Sequence, residues 1–268
     1  MPIELDLRQC RTKVLSLPDN PLRREAVVAL CDRLRLPYEL VDAVRCAPGD
    51  VGCALSHLRA LRAAEGQLPL LVLEDDVGAA EDCSHLLTVP DDADAIWLGA
   101  SIFGAMPIVN YVGFAHTTLT EEAGHGLLRA HNLLSAHAIL YLSERFRQAA
   151  IDVIMRCVID LGRAPDCGLA MIQSDFNIYV ERTPRFFQAA DLQPPGRAHL
   201  EEWTRLTLEP TPVGRVEGLQ VDGQLRLANT VRTERGLEWA WAEDPAQPSQ
   251  VASEGPTSPE TASDSRDL

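Results

Sequence analysis

The chain has 268 residues, enough for one large domain or two small ones, and its 46% hydrophobic content is sufficient for a substantial core. A net charge of -15 and a pI near 4.8 argue against nonspecific binding to nucleic acids and anionic membranes. No apolar run approaches the roughly 20 residues of a membrane span, and the N-terminus is too charged for a secretory signal, so no transmembrane segment and a cytoplasmic location are expected. The seven scattered cysteines contain no C-x-x-C pair, which favours neither a disulfide framework nor a zinc cage.

The first 100 residues alternate between short apolar runs and helical patterns. Asn20 can cap the first helix, with Pro21 at its first position. Asp50 is the expected cap of the second helix and Gly66 its stop. Strands are predicted at residues 12–19, 38–44, 69–76 and 94–100, and helices at residues 20–36 and 50–66.

This alternation predicts an α/β fold with a mostly parallel sheet, because strands that alternate with helices are joined by crossover connections. In such sheets ligands bind beyond the carboxyl ends of the strands. The run Glu74-Asp75-Asp76 follows the apolar strand "PLLVL" at such an end. The sequence therefore places three carboxylates at the expected ligand site.

The second half is less regular. Residues 101–126 lack clear periodicity and are predicted to be a lid or binding loop. A hairpin is expected to turn at Asp222-Gly223, and the Pro, Ser and Glu bias of residues 243–268 is typical of a disordered tail. Further strands are predicted within residues 131–143 and 176–184, and helices at residues 144–162 and 165–173.

Three adjacent carboxylates repel one another, so such a cluster faces either water or a cation. Side-chain alternation sends Glu74 and Asp76 to the same side. That spacing suits one Mg²⁺ or Mn²⁺ ion, which takes one or two protein carboxylates and fills its other positions with water and phosphate oxygens. A solvated acidic surface is the alternative interpretation.

The predicted helix at residues 50–66, which precedes the strand of the acidic run, carries little charge on either of its two faces. One carries Ser56 and His57, and a solvent-facing surface would carry Lys and Glu instead. We therefore expect the helix to be covered on both sides, with Ser56 and His57 hydrogen-bonded to buried partners. A structural role for His57 competes with a functional one.

The segments "VLSLPDNPLRRE", "PGDVGCALSHLRAL" and "LPLLVLEDDV" occur in this order over roughly the first 100 residues. Together they resemble glycosyltransferase family 25, the lipopolysaccharide and collagen galactosyltransferase-like group. The resemblance implies a GT-A type, Rossmann-like fold, a nucleotide-sugar donor, Mn²⁺ or Mg²⁺ at the Glu-Asp-Asp run, and inversion at the anomeric carbon. It also implies a GT-A domain over residues 1–205. Residues beyond about 205 do not match the family, and the hairpin pattern there predicts a small C-terminal β extension over residues 206–242.

Carried over by position, the resemblance puts the nucleotide near Leu17, Pro18 and Arg24. It puts the metal and diphosphate at Glu74 and Asp76, with Asp75 nearer the ribose or sugar. Ser56 and His57 match the helix motif of the family and would shape the donor pocket. The donor expected first is a UDP-sugar, and the acceptor is a saccharide or another hydroxyl compound.

An inverting transfer needs a base for the acceptor hydroxyl and neutralisation of the leaving diphosphate. Asp166 is the candidate base, although a helix cap is an equally simple role for it; Asp175 and Asp191 are alternatives. Arg23 and Arg24 could contact phosphates or be solvated. The histidines that flank residues 101–126 are candidates for the metal shell, but their spacing selects none of them: His116, His125, His131 and His137.

The sequence thus predicts a metal-dependent glycosyltransferase acting on a glycan or lipid-linked saccharide. One alternative is a transferase that glycosylates modified DNA bases, against which the acidic pI weighs. Another is a noncatalytic nucleotide-sugar-binding protein, since fold does not dictate function. A metal-dependent phosphohydrolase usually requires two metals and more ligands than the sequence offers.

Overall fold

The structure, a computed structural model, describes residues 2–108, 111–115, 117–161, 164–221 and 224–242. The predicted disordered tail at residues 243–268, the turn residues Asp222 and Gly223, and His116 lie outside the described residues. Within the described ranges, no helix is both long enough and apolar enough to cross a bilayer.

Strands and helices alternate at the start of the described chain, and a long series of strands then precedes the third α-helix. The helices are α1 (Pro21–Leu34), α2 (Gly49–Arg62), α3 (Glu144–Arg156), α4 (Pro165–Ile172) and α5 (Leu200–Thr204). The strands are β1 (Ile3–Asp6), β2 (Arg11–Ser16), β3 (Tyr38–Asp42), β4 (Leu70–Glu74), β5 (Val77–Ala79), β6 (Leu86–Val89), β7 (Ala95–Trp97), β8 (Gly104–Ile108), β9 (Tyr111–Ala115), β10 (Thr120–Gly124), β11 (Leu127–Ala130), β12 (Ala138–Tyr141), β13 (Ile178–Glu181), β14 (Phe186–Gln188), β15 (Val216–Val221), β16 (Gln224–Thr233) and β17 (Gly236–Trp241).

The central sheet has eight strands in the order β10-β11-β13-β7-β12-β4-β2-β3. The pairs β2/β3, β2/β4 and β7/β13 are parallel, whereas β12 runs antiparallel to β4 and β7, and β11 runs antiparallel to β10 and β13. Only β11 and β12 are therefore reversed relative to the other strands. The predicted α/β fold with a mostly parallel sheet flanked by helices is confirmed.

A hydrophobic core lies on each face of this sheet. Leu70 and Val72 of β4 face the core beneath α2, α3 and α4, whereas Leu71 and Leu73 face the core beneath α1 and the β1/β6 pair. All four side chains are fully buried. A strand with two buried faces needs a continuous apolar run rather than an alternating one, which is the pattern that "LLVL" shows.

The predicted helix caps are partly confirmed. Asn20 accepts the backbone N–H of Arg23, and Pro21 opens α1. The prediction for Asp50 is wrong, because Pro48 occupies the cap position of α2 and Asp50 lies within the first helical turn. Gly66 does adopt a left-handed φ of 66°, but it lies beyond Arg62, where α2 has already ended.

The prediction of a structureless loop at residues 101–126 is wrong. The segment forms the hairpin of β8 and β9 and then the edge strand β10. Glycine, proline and threonine masked the alternation in the sequence. Asn132 stabilises the region through its Oδ1, which accepts the Leu119 N–H at 2.6 Å, and its Nδ2, which donates to the Ala105 carbonyl at 2.9 Å.

The predicted C-terminal hairpin is confirmed and gains a third strand. β15 and β17 both pair antiparallel with the central β16. Leu219 and Ala228 of this small sheet pack with Met106 and Ala115 of the β8/β9 hairpin. The domain boundary between residues 205 and 206 stays a prediction.

Asp94 is a buried carboxylate that joins three elements at the end of the sheet remote from the acidic run. It accepts the Ser143 hydroxyl at 2.5 Å, Arg145 Nε at 2.7 Å and the Asn177 N–H at 2.9 Å. Burial favours the neutral acid, but these hydrogen bonds and the Arg145 charge outweigh it and lower the pKa of Asp94. The ionised carboxylate therefore stabilises the fold.

We expect Asp94→Asn to lower the free energy of unfolding by about 3 kcal/mol at pH 7, because it weakens several charge-assisted hydrogen bonds to one buried group. Since the folded-state pKa is depressed, this contribution is present above the unfolded pKa and disappears as pH falls through the folded value. Urea unfolding of both proteins at pH 7 and pH 3 measures the difference. The exposed Asp152 of α3 supplies the control Asp152→Asn, and an equal effect of the two changes would contradict the prediction.

Candidate active site

The acidic run lies at the carboxyl end of β4, in the interior of the central sheet. β4 pairs in parallel with β2, and the register places Glu74 opposite Leu15. Beyond these ends, Glu74, Asp75 and Asp76 line an open cavity of about 650 Å³. The cavity thus lies where a parallel sheet places its ligands.

Helix α2 holds Glu74 from one side. Glu74 Oε1 lies 3.0 Å from His57 Nε2 and 3.4 Å from Cys53 Sγ. Burial favours the neutral acid, but the hydrogen bond and charge of His57, together with the charge of His137, lower the pKa of Glu74. Glu74 is therefore a carboxylate at neutral pH, and His57 Nε2 donates to it.

Arg23 holds the other two carboxylates. Its guanidinium lies 3.3 Å from Asp75 Oδ1 and 3.6 Å from Asp76 Oδ2, and its Nε donates to the Leu192 carbonyl at 2.7 Å. The second oxygen of Asp75 accepts the Leu17 N–H at 3.3 Å. Asp75 is therefore engaged on both oxygens and ties the end of β2 to the end of β4.

Asp76 is the least satisfied of the three acids. Its Oδ2 accepts Gln188 Nε2 at 3.2 Å and Gln193 Nε2 at 3.0 Å, but its buried Oδ1 has no hydrogen-bond partner among the described residues. Burial and the Glu74 charge raise the pKa of Asp76 to about 6, against the opposing charge of Arg23. The site thus carries more negative charge than its own residues neutralise.

Asp166 lies on another wall of the same cavity, in the first turn of α4. It is half-buried, and its Oδ1 accepts the Cys167 N–H at 2.8 Å. Burial and the Glu74 charge raise its pKa to about 6. The helix-cap alternative does not apply, because Ala164 occupies the cap position.

The structure brings most of the predicted site residues together. Ser56 accepts the Val44 N–H at 2.8 Å and donates to the Gly52 carbonyl at 2.7 Å, and both Ser56 and His57 are buried, as expected of a helix covered on both sides. The predicted residues that line the cavity are Leu17, Ser56, Glu74, Asp75, Asp76 and Asp166.

Three predicted donor-site residues are not among the described residues that line the cavity. His57 lies behind Glu74, and Pro18 follows Leu17 without joining the lining. Arg24 pairs instead with Asp42 at 3.1 Å. Of the alternative bases, Asp175 pairs with Arg235 at 3.3 Å, and neither it nor Asp191 belongs to the lining of this cavity.

Several residues that line the cavity were not identified from the sequence. The sequence does not show which of Arg23 and Arg24 faces the cavity, because both lie in the first turn of one helix. Gln193 carries no motif, and its contact with Asp76 spans 117 positions. An aromatic wall of Phe103 and Trp203, whose ring centroids lie 4.9 Å apart, joins two segments remote in sequence.

Of the candidate histidines, His137 lines the cavity. Its Nδ1 lies 2.7 Å from the Ser135 hydroxyl and its Nε2 lies 3.4 Å from the Phe186 carbonyl. Burial lowers the pKa of His137. His131 instead pairs with Glu121 at 2.8 Å, away from the cavity lining.

Comparison with known proteins leaves the family open. No family model and no curated protein matches the chain. Among solved structures, a match is found to CTP:phosphocholine cytidylyltransferase from Streptococcus pneumoniae, with 10% identity, a TM-score of 0.33, and coverage of 62% of this chain and 68% of that chain. A likeness this low assigns no function, so the resemblance to glycosyltransferase family 25 stays a hypothesis based on the sequence motifs.

Proposed function

We propose that the protein is a metal-dependent glycosyltransferase. It would move a sugar from a nucleotide-sugar donor, a UDP-sugar first among the candidates, to a hydroxyl of a glycan or lipid-linked saccharide with inversion. The observation that carries this proposal is one open cavity that contains both an under-neutralised acidic run and a separate half-buried carboxylate, Asp166. The first suits a cation with a diphosphate, and the second suits a base.

The donor atoms fit a hard divalent cation. Asp76 offers a buried oxygen without a partner, and Glu74 is an ionised carboxylate in the same cavity lining. Mg²⁺ and Mn²⁺ take oxygen ligands and usually keep positions for water and substrate phosphates. We assign Glu74 and Asp76 as the residues that would hold the ion. When bound, such an ion supplies Lewis acidity that neutralises charge on the leaving diphosphate.

The remaining polar groups would orient the donor and the acceptor. Asp75 fixes the carboxyl end of β2 by accepting the Leu17 N–H, and Arg23 brings a guanidinium to the same wall. Arginine suits phosphate oxygens through paired N–H donors. Asp166 would take the proton from the acceptor hydroxyl, and its raised pKa makes it a stronger base than an exposed aspartate.

We expect Arg23→Gln to weaken binding of a nucleotide sugar by about 10- to 100-fold, because a charge-assisted hydrogen bond contributes about 1.5–3 kcal/mol. Arg24→Gln is the matched control from the same helical turn, and its side chain pairs with Asp42 outside the cavity. Calorimetric titration of both variants with the donor measures the difference. A larger loss for Arg24→Gln would support the position assigned to Arg24 from the sequence and contradict the role of Arg23.

A thermal-shift screen with UDP-, GDP- and CDP-sugars and Mn²⁺ tests the proposed function. A donor present at 100 times its Kd stabilises the folded state by about 2.7 kcal/mol, which corresponds to a Tm increase of roughly 5–10 °C for a chain of this size. We expect one nucleotide class to produce this shift with Mn²⁺ and to lose it with a chelator. No shift with any nucleotide sugar would contradict the proposal.

Measurements of turnover then distinguish the proposed transferase from the alternative functions. We expect slow donor hydrolysis, and faster consumption of the donor with a saccharide acceptor, both dependent on Mn²⁺ or Mg²⁺. Donor binding without hydrolysis or transfer across an acceptor panel would indicate a noncatalytic binding protein. Retention on DNA at low salt would revive the modified-DNA alternative, despite the net charge of -15.

A further inference from the structure

A second group of potential metal ligands lies beside the acidic run, on the side facing α2. Cys53 Sγ, His57 Nε2 and a carboxylate oxygen of Glu74 all lie within 4.8 Å of one another. Glu74 Oε1 is the common contact, 3.4 Å from Cys53 Sγ and 3.0 Å from His57 Nε2. A thiol, an imidazole and a carboxylate are therefore close enough to bind the same ion.

Regular elements of the fold hold this group in place. Cys53 and His57 are four residues apart on α2 and therefore share a helix face. Glu74 is the last residue of β4, fixed by its N–H bond to the His137 carbonyl at 2.9 Å. His57 is fully buried and Cys53 is half-buried, so packing restricts both side chains. Ligands on helices and strands are held more accurately than ligands on loops.

We propose that Cys53, His57 and Glu74 form a binding site for Zn²⁺. It differs in ligand chemistry from the hard-cation site assigned to Glu74 and Asp76, with which it shares Glu74. Sulfur and nitrogen ligands favour Zn²⁺ over Mg²⁺ or Mn²⁺. Tetrahedral zinc with Zn–N and Zn–O distances of about 2.0–2.2 Å and Zn–S of about 2.3 Å separates neighbouring ligand atoms by roughly 3.3–3.7 Å. The two observed contacts of Glu74 Oε1, 3.0 and 3.4 Å, need only a small expansion to match these separations, and Cys53 Sγ lies within 4.8 Å of His57 Nε2.

The group supplies three protein ligands and leaves a fourth position open. Cys53 and Glu74 line the cavity, so an ion can enter and water or a ligand can complete its shell. On binding, the thiol proton passes to solvent. The imidazole proton moves from Nε2 to Nδ1, which has no hydrogen-bond partner among the described residues.

Zinc at this site would use Glu74 and so remove it from the hard-cation site. This consequence rests on the proposed function, because it assumes that Glu74 helps to hold the Mn²⁺ or Mg²⁺ of the transferase. Zn²⁺ would then inhibit transfer even with Mn²⁺ present. The binding of zinc itself does not depend on what the cavity catalyses.

Titration of the reduced, chelator-treated full chain with Co²⁺ tests the site without any assay of activity. Thiolate ligation to Co²⁺ gives a near-ultraviolet charge-transfer band, and we expect one equivalent that Zn²⁺ displaces. Cys53→Ser should abolish the band. His57→Gln should weaken Zn²⁺ binding by about 100-fold or more, since even partners outside the ligand shell contribute 10–100-fold. Cys46→Ser is the matched control, an exposed thiol in the lining of the same cavity.

A band that persists in Cys53→Ser, or that disappears in Cys46→Ser, would overturn the proposal, as would the absence of any Co²⁺ band in the wild-type chain. Circular dichroism checks that each variant is folded. If Cys53→Ser unfolds, Zn²⁺ affinity in His57→Gln decides the question, and an affinity equal to that of the wild type rejects the site. Zinc binding without any nucleotide-sugar shift would reject the proposed transferase and leave the zinc site standing.

Discussion

Replacing Asp76 with asparagine is expected to lower the rate of sugar transfer by about a thousandfold, which corresponds to roughly 4 kcal/mol of lost transition-state stabilisation. The change keeps the shape of the side chain but removes one charge from the acidic run. Its Oδ1 is the buried oxygen that has no hydrogen-bond partner among the described residues. Donor hydrolysis and transfer in Mn²⁺ measure the effect, and Asp82→Asn, at an exposed carboxylate that does not belong to the cavity lining, is the control.

The same substitution should stabilise the metal-free protein. Because burial and the Glu74 charge raise the folded-state pKa of Asp76 to about 6, its ionised form opposes folding at neutral pH. The shift from 3.8 to about 6 corresponds to a stabilisation of up to about 3 kcal/mol when the charge is removed at pH 7.5. Wild-type stability should accordingly gain from this group as pH falls from above 6 towards 4, and Asp76→Asn should lack that gain.

Addition of metal should reverse this order of stability between the wild type and Asp76→Asn. Mn²⁺ should raise the Tm of the wild type and of Asp82→Asn, and leave Asp76→Asn almost unchanged, since an ion that binds only the folded state raises its stability. Undiminished turnover in Asp76→Asn would remove this residue from the metal site. A decrease in its Tm in metal-free buffer would show that the acid is a structural group.

Asp166→Asn is expected to reduce transfer by 100- to 10,000-fold, the usual contribution of a general base. Donor binding should persist, because no described contact joins Asp166 to the Arg23 side of the cavity. Calorimetric titration of the donor and single-turnover transfer separate these two effects. Asp50→Asn is a suitable comparison, since Asp50 is another carboxylate in the cavity lining.

The pH profile gives a second test of Asp166. A base must be ionised to accept a proton, and the pKa of Asp166 is raised to about 6 by burial and the Glu74 charge. The rate should therefore fall tenfold per pH unit below about 6 and be constant above it. If the residual transfer rate of Asp166→Asn falls with the same pH dependence below about 6, the titrating group is not Asp166.

Six of the eight strands of the central sheet were predictable because they carry local signals, whereas the edge strand β10 and its neighbour β11 were not predicted. The run "LLVL" of β4 is apolar on both faces, and Asn20 with Pro21 marks the start of α1. The β8/β9 hairpin gave no such signal. Its stability depends on contacts with Asn132 and with the C-terminal sheet, which are remote in sequence.

The candidate site was predictable where one element supplies it. The Glu-Asp-Asp run follows directly from β4, and the four-residue spacing of Cys53 and His57 fixes a shared helix face. The partners of Asp76 were not predictable, because Gln188 and Gln193 reach it only through the tertiary fold. Likewise, only the folded chain distinguishes Arg23, which faces the acids, from Arg24, which pairs with Asp42.

The position of β4 limits which parts of the cavity can move. β4 is hydrogen-bonded to β2 on one side and β12 on the other, and the Glu74 N–H is itself bonded to the His137 carbonyl. Displacing Glu74 would require breaking the interior of the sheet. Any opening or closing around a bound substrate would therefore have to come from other parts of the lining, such as the start of α4 and the segment that carries Gln193. In the proposed transferase, the acidic edge would then be the fixed reference against which the reacting bond is aligned.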